Sequence, residues 1–205
     1  MSSDQSFRGP HGPTLAYYEA NAQRFFQETR SVDMSPLYEP FLALLPSGAR
    51  ILDAGCGSGR DSLAFLERGY EVAAMDASPS MVELASRLIG RPVLHMSFDQ
   101  ICFQERFDGV WACASLLHVP KRNLPAVLAR LGVALKAGGV MYASFKYGEG
   151  EAVRDGRLFN DCYEESLRNL LRSRTEFGIL EVWRSTDLRP GRGDITWLNV
   201  LLRKC

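Results

Sequence analysis

Paired cysteines are missing from this chain. Its five cysteines, Cys56, Cys102, Cys113, Cys162 and Cys205, are scattered and odd in number, and no Cys-x-x-Cys occurs. Neither a zinc site nor a disulfide framework is favoured, so no metal is expected, and a reduced, cytoplasmic protein is the simplest reading. Net charge is also missing: 24 Lys and Arg balance 24 Asp and Glu. A protein that holds long nucleic acid by its phosphates usually carries a basic excess, so nucleic acid is possible as a partner but not favoured. There is no apolar run of about 18 residues to span a bilayer, and residues 1–13 are polar, without the apolar stretch of a secretory leader. No membrane partner is expected. No internal repeat or low-complexity tract is evident.

What is present suits a single globular domain: 205 residues, 46% hydrophobic and 23% charged. After a flexible leader over residues 1–13, Leu15, Tyr18, Ala22, Phe25 and Phe26 recur at helical spacing over 14–30. A second helix is expected from Ser35, as N-cap with Pro36 following, to Leu45. Residues 14–46 thus form an N-terminal helical cap. From 47 to 205 strands and helices alternate. Short apolar runs at 50–54, 71–76, 93–98, 109–114 and 140–146 read as strands buried on both faces. Helices are expected at 61–68, 79–88 and 124–135, the last closed by Gly138-Gly139. This alternation implies an α/β, doubly wound, mostly parallel sheet. The tail departs from it: a helix at 164–173 precedes two strand-like segments, 178–185 and 196–203, which pair antiparallel or leave the sheet.

The most informative stretch is Ile51-Leu52-Asp53-Ala54-Gly55-Cys56-Gly57-Ser58-Gly59-Arg60-Asp61-Ser62, an apolar strand ending in an acid, then a glycine-rich turn, then a helix start. Such a turn brings backbone N–H groups close to a polar ligand. Its spacing is D-x-G-x-G-x-G, and where the dinucleotide fingerprint needs a third glycine this chain has Arg60. Asp53 suits a cationic ligand group. Asp76, ending the next strand, suits a ribose diol, a feature that dehydrogenases share. Ser78, ahead of Pro79, is the expected N-cap of the following helix.

This stretch resembles motif I of the class I, Rossmann-like S-adenosylmethionine-dependent methyltransferases, and the likeness runs from about Tyr17 to Lys204. It implies a seven-stranded sheet with an antiparallel last strand, S-adenosyl-L-methionine as cofactor and transfer of its methyl group to a nucleophile. The cofactor side would comprise Asp53, Gly55, Cys56, Gly57, Gly59, Asp76, Ala77, Met81, Ser97, Phe98, Ala114 and Tyr18. His118, in Ser115-Leu116-Leu117-His118, resembles the histidine that small-molecule methyltransferases carry at this place, and is the candidate general base for a hydroxyl acceptor. Tyr17, Lys146, Tyr147 and Arg192 are candidate substrate contacts. The absence of an Asn/Asp-Pro-Pro-Tyr/Phe stretch disfavours amino methylation of DNA. The chain is similar to compact tellurite-resistance-type, ubiquinone-type and other small-molecule enzymes, and to domains that methylate wobble uridines of transfer RNA. Balanced charge favours a small-molecule methyl acceptor, with the protein a monomer or homodimer. Two rivals stand beside this reading: a nicotinamide oxidoreductase, which the loop spacing opposes, and a non-catalytic methyltransferase-like partner subunit, which the intact loop opposes.

Overall fold

The computed structural model describes residues 12–172 and 176–205. Residues 1–11 of the expected leader lie outside them, as does Ser173, where the 164–173 helix was expected to end. Among the described residues, seven strands form one sheet, in the order β3-β2-β1-β4-β5-β9-β8. They are β1 (Arg50–Ala54), β2 (Glu71–Asp76), β3 (Leu94–His95), β4 (Phe107–Ala112), β5 (Leu135–Lys146), β8 (Phe177–Thr186) and β9 (Thr196–Lys204). β1 to β5 are parallel; β9 runs antiparallel to β5, and β8 antiparallel to β9. The mostly parallel, doubly wound sheet with an antiparallel end is as expected.

Period-two alternation lets each central strand feed two cores. Leu52, Ala54, Val110, Ala112, Met141 and Ala143 join α5 (Leu124–Ala134) on one face. Ile51, Trp111, Val140 and Tyr142 face α2 (Ser35–Leu42) and α3 (Arg60–Glu67) on the other. Here Trp111 stacks on its register partner Tyr142, ring centres 4.0 Å apart. Helix α4 (Pro79–Ile89) starts as expected, with Ser78 Oγ accepting the Met81 N–H.

Several boundaries differ, each for a local reason. Helix α1 (Gly12–Thr29) takes in two residues of the expected leader. Met34, not Ser35, is the N-cap of α2, and Asp33 accepts the Ser35 N–H. This helix stops at Leu42 because i→i−3 bonds from Leu44 and Leu45 tighten the chain. β3 pairs over only two residues, since Gln100 folds back to accept the Ser97 N–H. α5 runs straight into β5; residues 136–139 are a bulge in which Gly138 has φ +73°, not a helix-closing turn. A second, two-stranded sheet is unanticipated: a hairpin of β6 (Gly150–Arg154) and β7 (Arg157–Asp161), joined by Asp155-Gly156 with both residues at positive φ. Helix α6 (Glu164–Leu171) follows it.

Candidate cofactor and acceptor site

At the carboxyl ends of β1, β2, β4 and β5 lies a cavity roofed by α1 and the β6–β7 hairpin, the place where open α/β sheets bind ligands. Its floor is the glycine turn. Gly55 and Cys56 both donate to Met75 O at 2.9 Å, which folds the turn against β2. Gly55 sits at φ +84°, and a Cβ there would lie 2.6 Å from Ser115 Cβ. No larger residue fits without moving the β4 loop. The α3 helix opens directly after the turn, so its first-turn N–H groups have no intrahelical partner.

Asp76 controls the adjoining wall. Its Oδ2 accepts the Gly57 N–H at 2.9 Å and its Oδ1 the Ser78 N–H at 2.9 Å. A carboxylate offers about four lone-pair positions, so acceptor capacity remains toward the cavity. Burial pushes its pKa up, against the pull of those backbone donors. Met81, Ala77, Ser97 and Phe98 continue this wall.

The β4 loop closes the centre. Ala114 adopts φ +50°, a left-handed conformation unfavourable to a side chain, and Ser144 Oγ accepts its N–H at 2.8 Å. Ser115 Oγ donates to Ala54 O at 2.7 Å. His118 is held at both nitrogens: Nδ1 lies 2.6 Å from Leu158 O and Nε2 lies 3.0 Å from Tyr18 Oη. A carbonyl only accepts, so Nδ1 carries the proton and Nε2 accepts from the Tyr18 hydroxyl. Burial first, then the Arg157 and Lys146 charges, pulls the His118 pKa down to about 4, leaving the ring neutral.

Beneath the loop Asp61 gathers four donors. Tyr38 Oη and Arg60 Nε reach its Oδ1 at 2.6 Å each; Trp111 Nε1 and Arg60 Nη2 reach Oδ2 at 2.8 and 3.1 Å. The Arg60 guanidinium leads the effects that keep Asp61 ionised against its burial. Asp53 instead accepts from Ser62 Oγ at 2.6 Å, and burial with the nearby Asp61 charge pushes its pKa well above the carboxylate range.

Two contacts tie the roof to the core and a third joins its two parts. Glu19 of α1 accepts from Ser78 Oγ and, at 2.7 Å, from Ser80 Oγ; Tyr18 reaches His118; Thr14 Oγ1 accepts the Leu158 N–H at 2.9 Å.

Of the expected cofactor-side residues, Gly55, Cys56, Gly57, Asp76, Ala77, Met81, Ser97, Phe98, Ala114 and Tyr18 line the cavity, as do His118, Lys146 and Arg192. Asp53 is 2% exposed and lies behind the turn. Gly59 faces Ala85 of α4, where a Cβ would come within 3.0 Å, so it serves helix packing. Tyr17 stands outside the lining, under the Arg157 guanidinium. Tyr147 alternates with Lys146 at the end of β5 and packs instead on Tyr163 and Arg184, with its hydroxyl on Glu164. The sequence reading missed Asp61, Ser144 and Phe159. Asp155-Gly156, a strong hairpin signal, would have located Phe159. Among the described residues no group of His, Cys, Asp and Glu is placed to hold a metal ion, and no helix is long and apolar enough to cross a membrane.

A methyltransferase-domain family model matches residues 51–139, the stretch from β1 into the β5 bulge. The ubiquinone biosynthesis O-methyltransferase of Bradyrhizobium sp. (strain ORS 278) is 36% identical over 105 residues, 48% of this chain and 40% of that protein. The magnesium-protoporphyrin O-methyltransferase of Rhodobacter capsulatus is 32% identical over 91 residues, 42% and 41% of the two. The chain spans about half or less of the length of the curated relatives it matches. Over nearly its whole length it is similar to the crystal structure of the 1,6-didemethyltoxoflavin-N1-methyltransferase of Burkholderia thailandensis with bound 1,6-didemethyltoxoflavin and S-adenosylhomocysteine. The TM-score is 0.80 at 26% identity, covering 98% of this chain and 93% of that one. The magnesium protoporphyrin IX methyltransferase of Synechocystis PCC 6803 with bound S-adenosylmethionine shares the fold, with a TM-score of 0.71 at 17% identity over 98% of this chain and all of that one.

Proposed function

We propose, from the premise that this chain belongs to the class I, Rossmann-like S-adenosylmethionine-dependent methyltransferases, that it methylates a nucleophilic atom of a small molecule. The observation that carries the reading is the joint placement of the glycine turn and Asp76 on one cavity, with Asp76 bonded to Gly57 of that turn. S-adenosylmethionine, when bound, supplies an electrophilic sulfonium methyl.

The residues present fit that cofactor. Asp76 has acceptor capacity left for the ribose hydroxyls, and Met81, Ala77, Ser97 and Phe98 offer a mostly apolar slot for the adenine. The first turn of α3 would offer N–H donors to the carboxylate, since those of Gly55, Cys56, Gly57 and Gly59 are engaged within the protein. Asp53, behind the turn, would take the ammonium through water. Ala114, Cys56 and Tyr18 would close over the middle. On this reading residues 14–46 act as a cap over the core of residues 47–205, and Lys146 and Arg192 face the acceptor.

His118 holds the Tyr18 proton at Nε2. An acceptor that arrives protonated would pass its proton to this pair, the hydroxyl relaying to the imidazole. The protein otherwise contributes alignment and exclusion of water.

The test is calorimetry with S-adenosylhomocysteine beside a methyl-transfer screen with labelled cofactor against thiols, amines, hydroxylated metabolites and total transfer RNA. Asp76→Ala should weaken S-adenosylhomocysteine binding by at least about tenfold, the size of a lost charged hydrogen bond. Wild-type protein that binds none of it would reject the reading.

A further inference from the structure

Resting on the methyltransferase reading, we propose that the methyl acceptor is a planar organic anion, seated against Phe159 and paired with Lys146 and Arg157. Arg157 and Phe159 are two residues apart on β7 and share its cavity face, while Lys146 ends β5. The Lys146 ammonium lies 4.2 Å from the centre of the Phe159 ring, and the Arg157 guanidinium 5.1 Å from the same centre.

What separates these two cations from their neighbours is the lack of a direct ion pair. Arg60 is bound to Asp61 and Arg189 to Asp187; Arg192 stands 4.0 Å from Glu28, and Arg154, at the rim over Phe159, is bound to Asp161. Among the described residues no carboxylate comes within ion-pair distance of Lys146 or Arg157, and Arg157 Nε is buried with no hydrogen-bond partner. Withdrawing a cation from water without a partner is costly. Two such cations on one aromatic ring repel each other as well: burial, then the Arg154 and Arg157 charges, outweighs the Asp161 carboxylate, which Arg154 already binds, and holds the Lys146 pKa below its ordinary value. An anion from outside relieves both costs. The lining favours planarity: Phe159, Trp197 and His118, whose ring is 5.1 Å from that of Phe159, give the cavity three aromatic rings, against which a flat ligand packs well.

An anionic acceptor also agrees with the state of His118, whose Nε2 is already occupied by the Tyr18 proton. The acceptor's ionised oxygen or nitrogen donates the electron pair of the new bond to the methyl carbon. The carbon–sulfur pair stays on sulfur, the sulfonium becomes a thioether, and no proton changes place. Anion and sulfonium neutralise each other.

The test uses the full chain saturated with S-adenosylhomocysteine and titrates it calorimetrically with 2-naphthoate and its neutral match, 2-naphthamide. The acid should bind about tenfold or more tightly than the amide. Lys146→Met or Arg157→Met should erase most of that preference while the amide's affinity stays within about twofold. The proposal stands if the acid is preferred and at least one substitution removes the preference. It falls if the acid fails to bind, if acid and amide bind alike, or if the preference survives both substitutions. The acid–amide contrast needs no variant, so a variant that fails to fold does not rescue the proposal. S-adenosylhomocysteine binding is read separately: its absence sinks the methyltransferase reading, whereas its presence without preference for the acid sinks only the anionic acceptor.

Discussion

Replacing Asp61 by alanine isolates the interaction that holds the cavity floor. The carboxylate receives four hydrogen bonds, from Tyr38 of α2, Trp111 of β4 and both reachable nitrogens of Arg60. Its loss leaves the Arg60 charge, whose side chain is 17% exposed, without a partner. Breaking a buried ion pair from one side costs about 3–5 kcal/mol. The orphaned Tyr38 and Trp111 donors would each add about 1–3 kcal/mol if they stayed dry. Because Arg60 and Asp61 border the cavity, water enters and the lower figure governs, so the total is placed at about 3–5 kcal/mol. For a domain of this size each kcal/mol lowers Tm by about 2–4 °C, so thermal unfolding should fall by roughly 6–20 °C. Glu83→Ala, which removes the exposed Arg87 pair, is the control and should cost under about 1 kcal/mol. A second arm asks whether the orphaned charge is the cause: Arg60→Met with Asp61→Leu should cost at least about 1 kcal/mol less than Asp61→Leu alone. The reasoning is refuted if Asp61→Ala unfolds with the control, or if the double variant is as unstable as the sum of the single ones.

Because burial lowers the His118 pKa from 6.5 to about 4, its neutral form stabilises the fold above pH 6.5. That stabilisation drains away as pH falls toward about 4, where the unfolded chain takes up the proton and the folded one resists it. The loss is on the order of 3 kcal/mol, so the stability gap between wild type and His118→Gln, followed by urea unfolding, should shift toward the variant over that range; a constant gap would count against a neutral, buried imidazole. Ala114 holds φ +50°, at a cost of about 1–2 kcal/mol, against about 0.5–1 kcal/mol for a glycine's extra freedom in the unfolded chain. Ala114→Gly should therefore stabilise the protein by about 0.5–1 kcal/mol with S-adenosylhomocysteine affinity retained, and a destabilised variant would mean that the alanine methyl packs better than its backbone suggests.

The architecture was legible because its signals are local. Each of β1 and β2 is a short apolar run closed by an acid or a small residue, and burial on both faces makes such runs stand out from the amphipathic helices between them. The glycine turn was legible for the same reason: positive φ at Gly55, Gly57 and Gly59 within five residues admits few other side chains. Boundaries were less so where hydrogen bonding overrides propensity. The N–H of Ala114 goes to the Ser144 hydroxyl, thirty residues away, and the strand ends at Ala112 although the apolar run continues.

The rest of the cavity, including the proposed acceptor side, was hidden because its parts meet only after the chain has folded. Asp61 finds Tyr38 and Trp111 at sequence distances of 23 and 50, and no spacing rule links an acid in a first helical turn to donors so remote. Lys146 was singled out for its place at a strand end, but its meaning depends on β7, which carries Arg157 and Phe159 back over it. The Asp155-Gly156 turn makes that return possible: both residues accept the positive φ of a tight hairpin, 49° and 76°, which sets Arg157 and Phe159 on the cavity face and Leu158 outward. The backbone of Leu158 then engages Thr14 on one side and His118 on the other. A single two-residue turn thus positions the Arg157 guanidinium, the Phe159 ring and the Leu158 carbonyl together, so lengthening or shortening it by one residue would reverse which side chains of β7 face the cavity. The glycine turn proposed for the methyl donor is written in one continuous stretch, whereas the proposed acceptor site is assembled from a hairpin, a helix and a strand end whose sequences, taken singly, say nothing about one another.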